Sequence, residues 1–446
     1  MSIDRRAFLA RTSQLAALTC TTAIAGRAWA RHPELYGPSG PAGADPPDFK
    51  VNVAVPGPVR TPLRHTINWG QDSSDPSTVL MFRGNPAHTH YGSGRIADRY
   101  KIGWTLQCPD YPAILHGNPH VWRGPGWSGQ ASVLGNRVLI GTTSRYLYCL
   151  DRETGGIAWK IAAQRMFKSS CCIYRDRAYI GCVDDHLRCI GVQSGHIVWQ
   201  WNTGADMDSS PIIAGGKLYV GSEKGAILCL QPEDGKILWR HEVDTAPTDP
   251  PGGRGVESTC TVVDGRVYAG CYQGWVYCLD ANTGKRLWKF KTDDDTDSSV
   301  CISRDSHGEM RAVVGCESGI LYCFSAKTGQ ALWQVTTGAG IWSSPAIVGD
   351  RVWVGSDDGH LYCIDLLSGQ VVWKQAVGSV WSSPCVLGDR VVFGSRDHNF
   401  YVLDAGDGRI VSKLTLGGHC ISTPCVVDGD IYLGSHGGDF HRLVPA

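Results

Sequence analysis

Four short hydrophobic runs, separated by polar turn-forming residues, lie between Ile341 and Lys374. This pattern recurs through most of the chain. The runs are rich in Val, Ile, Tyr, Trp and Cys, and their boundaries carry Gly, Asp or Ser, which favour tight turns. The pattern predicts four consecutive strands at residues 343–348, 351–355, 360–365 and 370–374. Residues 361–364 are apolar on both faces of the third strand, so we expect neighbouring sheets to cover it on both sides.

The pattern repeats with a period of about 40 residues, and two residue types mark it. A glycine ends each second run, at Gly141, Gly181, Gly221, Gly270, Gly315, Gly355, Gly394 and Gly434. A tryptophan lies in six of the fourth runs, at Trp159, Trp199, Trp239, Trp288, Trp333 and Trp373. Four strands with a late tryptophan at this period are typical of β-propeller blades, so we predict an all-β, eight-bladed β-propeller of four-stranded blades.

The eighth repeat reaches Ala446 without a fourth run, whereas residues 101–106 have a fourth-strand pattern with no earlier partners. We predict that this N-terminal strand, around Trp104, completes the eighth blade and closes the ring. Closure would remove two exposed sheet edges. The alternative is an open array of blades with Trp104 in a loop.

The chain before the repeats divides into two segments. Residues 1–30 combine Arg5-Arg6, a short apolar run and a small-x-small pattern at residues 28–30, which predicts a twin-arginine-type signal peptide or, alternatively, an ordinary secretory one. Residues 31–80 are rich in Pro and Gly and are interpreted as an N-terminal extension, and the propeller is predicted to span residues 81–446. The apolar run is too short and polar to span a membrane, so we expect a periplasmic or secreted protein with no membrane span.

Charge and cysteine content narrow the classes of partner and cofactor. The chain has 42 basic and 42 acidic residues, so nothing favours nucleic acid as a partner, and we expect a monomer. Most of its 18 cysteines recur at fixed blade positions, as small core fillers would. There is no Cys-x-x-Cys pair to support a zinc knuckle or an attached c-type haem. Folding before export favours free thiols, although a disulfide between Cys171 and Cys172 remains an alternative.

One repeat position differs in chemistry from blade to blade. It precedes a Ser-Ser or similar pair, whose hydroxyls we expect to satisfy backbone groups near the start of each first strand. In chain order the position carries Trp127, Lys168, Asp208, Glu257, Asp297, Trp342, Trp381 and Ile421. First strands line the channel of a propeller, so we predict that these side chains ring its mouth as a ligand-binding site.

The acidic members of this ring are the candidate metal ligands. Three carboxylates at close range raise one another's pKa, and a hard cation such as Ca²⁺ would relieve the repulsion between Asp208, Glu257 and Asp297. The tryptophans offer a flat surface for a planar or sugar-like ligand. The alternative is a polar channel mouth filled by water, with Lys168 paired to one acid.

The segments VGSDDGHLYCIDLLSGQVVW and WSSP resemble the pyrroloquinoline-quinone (PQQ) type of propeller repeat. Residues 82–86, FRGNP, are similar to the opening found upstream of many exported propellers of that type. The resemblance covers residues 81–446. The repeat is shared by quinoprotein alcohol dehydrogenases and by non-enzymatic propellers such as the outer-membrane-assembly lipoprotein that scaffolds barrel insertion.

The resemblance implies two alternative functions. One is an exported binding or scaffold module that holds a protein partner or a small ligand through its axial face and loops. The other is a small quinoprotein oxidoreductase, for which the resemblance implies PQQ, Ca²⁺ and an aspartate base. The chain is shorter than those enzymes and lacks their long insertions, and no catalytic residue can be carried over. The chain also departs from the scaffold lipoprotein, because a twin-arginine-type signal stands where that protein has a lipoprotein signal. Fold alone does not decide between these classes, and we favour the binding module.

Overall fold

The computed structural model describes residues 78–115, 118–125, 129–244 and 255–446, and every regular element within these ranges is a β-strand. The predicted signal peptide and residues 31–77 of the predicted extension lie outside them. Strand β1 (Thr78–Val79) is followed by β2 (Tyr100–Gln107). Strands β3 (Tyr111–Leu115) and β4 (Asn118–Trp122) form a two-stranded sheet of their own.

The next sixteen strands form four antiparallel sheets, each of four consecutive strands. Blade 1 contains β5 (Ser132–Leu134), β6 (Arg137–Gly141), β7 (Tyr146–Asp151) and β8 (Ile157–Ala162). Blade 2 contains β9 (Cys172–Tyr174), β10 (Arg177–Cys182), β11 (His186–Gly191) and β12 (Ile197–Asn202). Blade 3 contains β13 (Ile212–Ala214), β14 (Lys217–Ser222), β15 (Ala226–Leu230) and β16 (Ile237–Glu242). Blade 4 contains β17 (Thr261–Val263), β18 (Arg266–Cys271), β19 (Trp275–Asp280) and β20 (Arg286–Lys291).

The second half of the ring follows the same order, except that the last blade has only three strands from the C-terminal end. Blade 5 contains β21 (Cys301–Arg304), β22 (Met310–Gly315), β23 (Ile320–Ser325) and β24 (Ala331–Thr336). Blade 6 contains β25 (Ala346–Val348), β26 (Arg351–Gly355), β27 (His360–Asp365) and β28 (Val371–Ala376). Blade 7 contains β29 (Cys385–Leu387), β30 (Arg390–Gly394), β31 (Asn399–Asp404) and β32 (Ile410–Thr415). Blade 8 contains β33 (Cys425–Val427), β34 (Asp430–Gly434) and β35 (Asp439–Pro445).

Strand β2 supplies the missing strand of blade 8. It pairs antiparallel with β35, and Trp104 lies opposite Arg442. This confirms the predicted eight-bladed propeller and its closure by the N-terminal strand. Within blade 6, the predicted second and third strands match β26 and β27, and residues 361–364 are buried on both faces. The first strand begins only at Ala346, because Pro345 has no N–H to donate to a neighbouring strand.

The serine pairs before the first strands connect the blades around the axis. The backbone N–H of Ser344 donates to Ser383 Oγ at 3.0 Å, and the backbone N–H of Ser299 donates to Ser344 Oγ at 2.9 Å. The hydroxyl of Ser343 donates to the carbonyl of Ser382 in blade 7 and accepts the N–H of Gly355. The expected role of these hydroxyls is confirmed, and they also fix each blade against the next.

Residues 78–93 lie inside the ring and contact the first strands of several blades. The guanidinium of the fully buried Arg83 donates to the carbonyls of Ser344 at 3.4 Å, Pro345 at 2.8 Å and Pro384 at 3.1 Å. Tyr91 exchanges hydrogen bonds with the backbone of Ile347. Residues 344 and 345 lie two and three positions after the predicted mouth residue Trp342, so this segment crosses the ring close beneath the predicted mouth. Residues 78–80 of the predicted extension take part, since β1 pairs with β5.

Cysteines fill the spaces between blades. All 17 from Cys108 to Cys425 are buried free thiols, as expected from their repeat positions. Cys171 packs in the core shared by blades 1 and 2, whereas Cys172 packs in the core shared by blades 2 and 3. The two adjacent thiols therefore face different cores. Within the described ranges, no helix has the length and apolar character needed to cross a membrane.

The fourth-strand tryptophans dock onto the following blade. Trp159 Nε1–H donates to the carbonyl of Val192 at 2.8 Å, and its ring lies over Gly195. The same contact occurs at the other interfaces, where the carbonyl acceptors are Arg152 for Trp104, Pro232 for Trp199, Ala281 for Trp239, Ala326 for Trp288, Leu366 for Trp333 and Ala405 for Trp373. Blade 7 has Ser412 instead of a tryptophan. In the other blades the tryptophan docks onto the turn between the third and fourth strands of the next blade. Blade 8 has no such turn, because its third strand, β35, and its fourth strand, β2, come from opposite ends of the described chain. Ser412 Oγ donates to the carbonyl of Asp98 at this seam.

The tryptophan contact predicts a large penalty for any side chain at the glycine beneath it. A Cβ at Gly195 would lie 2.8 Å from the Trp159 ring, whereas a Cβ at Gly215 would have nothing within 4 Å. Both residues have positive φ, so both Gly→Ala changes carry a similar backbone strain. We expect Gly195→Ala to lower the free energy of unfolding by about 1–3 kcal/mol more than Gly215→Ala, measured by urea denaturation. Equal losses in the two variants would contradict the docking role.

Candidate functional site

Most residues of the predicted ring stand directly before the serine pairs that link the blades, and they stay the predicted channel mouth. Trp127 lies outside the described residues. Lys168 and Asp208 are buried and form an ion pair at 2.6 Å. Trp342 and Trp381 lie side by side, with ring centroids 4.7 Å apart. The predicted residues are thus held in two groups, a charged one and an aromatic one.

The charged group contains three carboxylates that approach one another. Asp208, Glu223 and Glu257 each offer a carboxylate oxygen within 4.8 Å of the other two. Tyr272 Oη lies 2.9 Å from Glu223 Oε1 and 2.6 Å from Glu257 Oε2. A hydroxyl has one proton and can donate to one carboxylate at a time, so the second short contact needs a protonated glutamate that donates to the phenol oxygen, or a cation. We call these three residues the carboxylate cup.

Asp208 is the most enclosed member of the carboxylate cup. Its side chain is 4% exposed, and Oδ2 accepts a hydrogen bond from Lys168 Nζ. Its other oxygen, Oδ1, is buried and has no hydrogen-bond partner. A buried carboxylate oxygen without a donor is costly, and a bound cation would satisfy it.

Burial and neighbouring acids disfavour ionisation of the two glutamates of the cup, Glu223 and Glu257. The pKa of Glu223 is raised well above its ordinary value by burial, then by the charges of Glu257 and Asp208. Burial and Asp208 also raise the pKa of Glu257, although Lys168 and Tyr272 oppose this. Burial alone would lower the pKa of Lys168, but Asp208 and Glu257 outweigh it and raise that pKa. These two glutamates therefore favour their protonated forms, and a divalent cation could displace the protons.

The third predicted metal ligand, Asp297, lies with a second set of acids. Burial raises its pKa well above the ordinary value, and the charges of Glu257, Glu317 and Asp295 add to this. Burial and the Glu317 charge raise the pKa of Asp295 to about 8. Burial raises the pKa of Glu317 to about 7, although this carboxylate accepts a hydrogen bond from Trp342 Nε1 at 3.1 Å. Asp297 is thus coupled electrostatically to the cup, but it is not one of its three converging ligands.

The aromatic group is enclosed by charged residues of blades 6 and 7. Trp381 Nε1–H donates to Asp357 Oδ1 at 2.8 Å. The Arg396 guanidinium lies 4.2 Å from the centre of the Trp381 ring and 3.5 Å from Asp357. The charge of Arg396 is thereby balanced by a neighbouring carboxylate.

Sequence reasoning missed a second ring of side chains at the mouth. These residues stand two positions after the glycine that ends each second strand, and they include Glu223, Tyr272, Glu317, Asp357 and Arg396. Each contacts a member of the predicted ring or shares its electrostatic environment. The sequence does carry a signal for this second ring. The residue two positions after the marker glycine varies in chemistry between blades as strongly as the residue before each serine pair does. A turn position beside a marker glycine is usually assigned to turn geometry, which hides such a role.

Comparison with known proteins fits this architecture. A family model described as outer membrane protein assembly factor BamB matches residues 104–307 and 317–445. The fold and the match together define the class, a PQQ-type repeat propeller. The chain belongs to the family that this BamB model describes. No curated protein sequence matches the chain.

Solved structures of similar fold include both enzymes and an assembly factor. The structure of a europium-containing methanol dehydrogenase has a TM-score of 0.68 at 14% identity, covering 83% of this chain and 98% of that one. BamB from Moraxella catarrhalis has a TM-score of 0.62 at 18% identity, covering 77% and 99%. Quinohemoprotein alcohol dehydrogenase from Comamonas testosteroni has a TM-score of 0.66 at 14% identity, covering 82% and 80%. At these identities the likeness supports the fold and leaves the activity open.

The raised pKa values predict that the propeller becomes less stable as pH rises. The pKa of Asp295 goes from 3.8 to about 8 on folding, and that of Asp206 goes from 3.8 to about 7, both chiefly through burial. Between these limits the unfolded chain has released protons that the folded chain retains, so the folded state loses stability as pH rises from about 4 to 8. We expect Asp295→Asn to flatten this decline in denaturation experiments without added divalent ions.

The control for this experiment is Asp280→Asn. Hydrogen bonds from Thr283 lower the pKa of Asp280, so its ionisation does not change between pH 5 and 8. This variant should keep the wild-type slope. A wild-type slope in Asp295→Asn would show that the acids at the mouth do not control the pH response.

Proposed function

We propose that this protein is an exported binding propeller whose axial mouth binds a hard divalent cation, with Ca²⁺ as the reference ion. The single observation that carries the proposal is the carboxylate cup, with the buried and unpartnered Oδ1 of Asp208. Oxygen donors from carboxylates are the ligands that Ca²⁺ prefers. Residues 78–93 lie beneath the predicted mouth, so we expect the cation to enter from the opposite face of the ring.

The same charge distribution argues against a quinone cofactor at this position. PQQ is a tricarboxylate, and the described mouth residues include many acids, among them Asp206, Asp208, Glu223, Glu257, Asp295, Asp297, Glu317 and Asp357. The nearby cations Lys168 and Arg396 are already matched by Asp208 and Asp357. Cys171 and Cys172 are buried in the blade cores and do not cap the mouth. These residues therefore fit a cation better than they fit an anionic quinone.

Membership of the BamB family supports a location in the cell envelope and a role in holding a partner. The matching family model is named for an outer membrane protein assembly factor. In this proposal the cation rigidifies the mouth, whose loops then present a fixed surface to a protein partner. Ion binding can be tested on the protein alone, without its partner.

Calorimetric titration of the mature protein with Ca²⁺ tests the proposal. We expect one saturable site, with affinity lowered roughly tenfold or more in Glu223→Gln and Glu257→Gln, because ligand charge sets calcium affinity. Glu309→Gln is the matched control, since Glu309 is exposed on a turn of blade 5. Wild-type affinity in both cup variants would exclude the cup as the site.

The quinone alternative has one supporting observation, the adjacent rings of Trp342 and Trp381, which suit a planar ligand. The test is a titration with PQQ, with and without Ca²⁺, read by tryptophan fluorescence. If the acidic mouth excludes the anionic quinone, PQQ should cause no saturable quenching of that fluorescence. Saturable, calcium-dependent quenching that disappears in Asp297→Ala would overturn the preference for a binding module.

A further inference from the structure

A second cluster of potential ligands lies on blades 7 and 8, and its donors are imidazoles. His398 is in the turn between β30 and β31, His419 is in the connection from β32 to β33, and His436 is in the turn between β34 and β35. The ring centroids of His398 and His419 are 4.8 Å apart, and those of His419 and His436 are 6.4 Å apart. Three separate loops thus bring three histidines together at the mouth.

The hydrogen bonds of His419 leave one ring nitrogen in the form that binds metals. Its Nδ1 lies against the backbone carbonyl of Arg396, which can only accept, so Nδ1 carries the proton. Nε2 then has its lone pair available. A metal-binding histidine usually donates its other N–H to a carbonyl or carboxylate in this way.

Backbone contacts hold the three loops in register. The N–H of His436 donates to the carbonyl of His419 at 2.9 Å. The N–H of His398 donates to the carbonyl of Ser395 at 3.3 Å, and His398 has a φ of 74°, a left-handed conformation that few residues other than glycine adopt. A positive φ occurs at the same turn position in the other blades, for example at Asp185 and Gly359, so the repeat itself fixes the backbone that presents His398.

The rings lie close enough for their nitrogens to reach a single small ion after side-chain rotation. Two imidazoles bound tetrahedrally at about 2.0–2.1 Å from one metal have centroids roughly 5 Å apart. The His398–His419 separation of 4.8 Å is close to this value, with the two rings edge to face at 71°. The His419–His436 separation of 6.4 Å would need His436 to approach by about 1 Å, within the reach of a side-chain rotation.

Nearby charges do not oppose a cation at this position. Burial raises the pKa of the Cys420 thiol, which is next to His419 in sequence, and the negative charge of Asp397 adds to this rise. Asp397 therefore supplies negative charge close to these loops. The guanidinium of Arg396 is paired with Asp357 and lies over Trp381.

We propose that His398, His419 and His436 form a binding site for a borderline divalent transition ion, such as Cu²⁺ or Zn²⁺, with a further position open to solvent. Imidazole favours these ions, whereas carboxylate oxygens favour Ca²⁺, so this site and the carboxylate cup select different metals. The inference does not depend on the proposed calcium site.

Titration of the mature protein with Cu²⁺, followed by electron paramagnetic resonance and calorimetry, tests this assignment. We expect one tight equivalent whose spectrum shows coupling to imidazole nitrogens. His419→Ala and His398→Ala should each lower the affinity at least tenfold, since even a lost outer partner of a metal ligand costs about 10–100-fold. His398 is exposed on a turn, so His398→Ala keeps the test valid if His419→Ala fails to fold.

Two controls separate this site from others on the protein. His196→Ala and His307→Ala remove exposed turn histidines of blades 2 and 5, and both should bind Cu²⁺ as the wild type does. Glu257→Gln should also retain the Cu²⁺ site, even where it abolishes calcium binding. Unchanged Cu²⁺ affinity and nitrogen coupling in His398→Ala and in a folded His419→Ala, or a loss shared with the His196 and His307 controls, would overturn the assignment.

Discussion

The hydrogen-bonded serine pairs around the axis are the constraint on which the rest of the structure depends. Blades 1, 2, 4, 5 and 6 each donate a backbone N–H to a serine hydroxyl of the next blade, as in the contact from Ser344 to Ser383. The mouth residues stand immediately before these pairs, so their backbone positions are set by the ring and not by a loop of free conformation. Side chains as different as Asp208 and Trp381 can therefore occupy equivalent positions without changing the fold.

This arrangement separates stability from function. Tryptophan docking, buried thiols and the serine ring recur from blade to blade, and they account for the packing between blades. The mouth is where the repeats differ, and there the structure retains groups that a stable core would avoid. Glu223 and Asp297 are held where burial and neighbouring acids raise their pKa values. The concentration of such groups on one side of the ring is the reason for proposing a cation there.

The fold could be predicted from the sequence because its signals are local and repeated. A glycine, a tryptophan and a Ser-Ser pair at fixed offsets identify a blade, and the unmatched strand around Trp104 identifies the closure. The site could be predicted only in part. The position before each serine pair located Asp208 and Glu257, but Glu223 comes from a turn whose side-chain direction depends on packing between blades. The course of Arg83 through the channel could not be predicted either, because its partners are backbone carbonyls, which carry no sequence signal.

The account's central claim is that a cation binds in the acidic mouth, beside the tryptophans of the same ring. The most direct measurement is terbium luminescence excited through tryptophan, with Tb³⁺ standing in for Ca²⁺ as a hard, oxygen-seeking ion. The account predicts sensitised emission that saturates at one equivalent, is displaced by Ca²⁺ and needs roughly tenfold more Tb³⁺ in Glu223→Gln. Emission that never saturates, or that persists unchanged in Glu223→Gln, would contradict it.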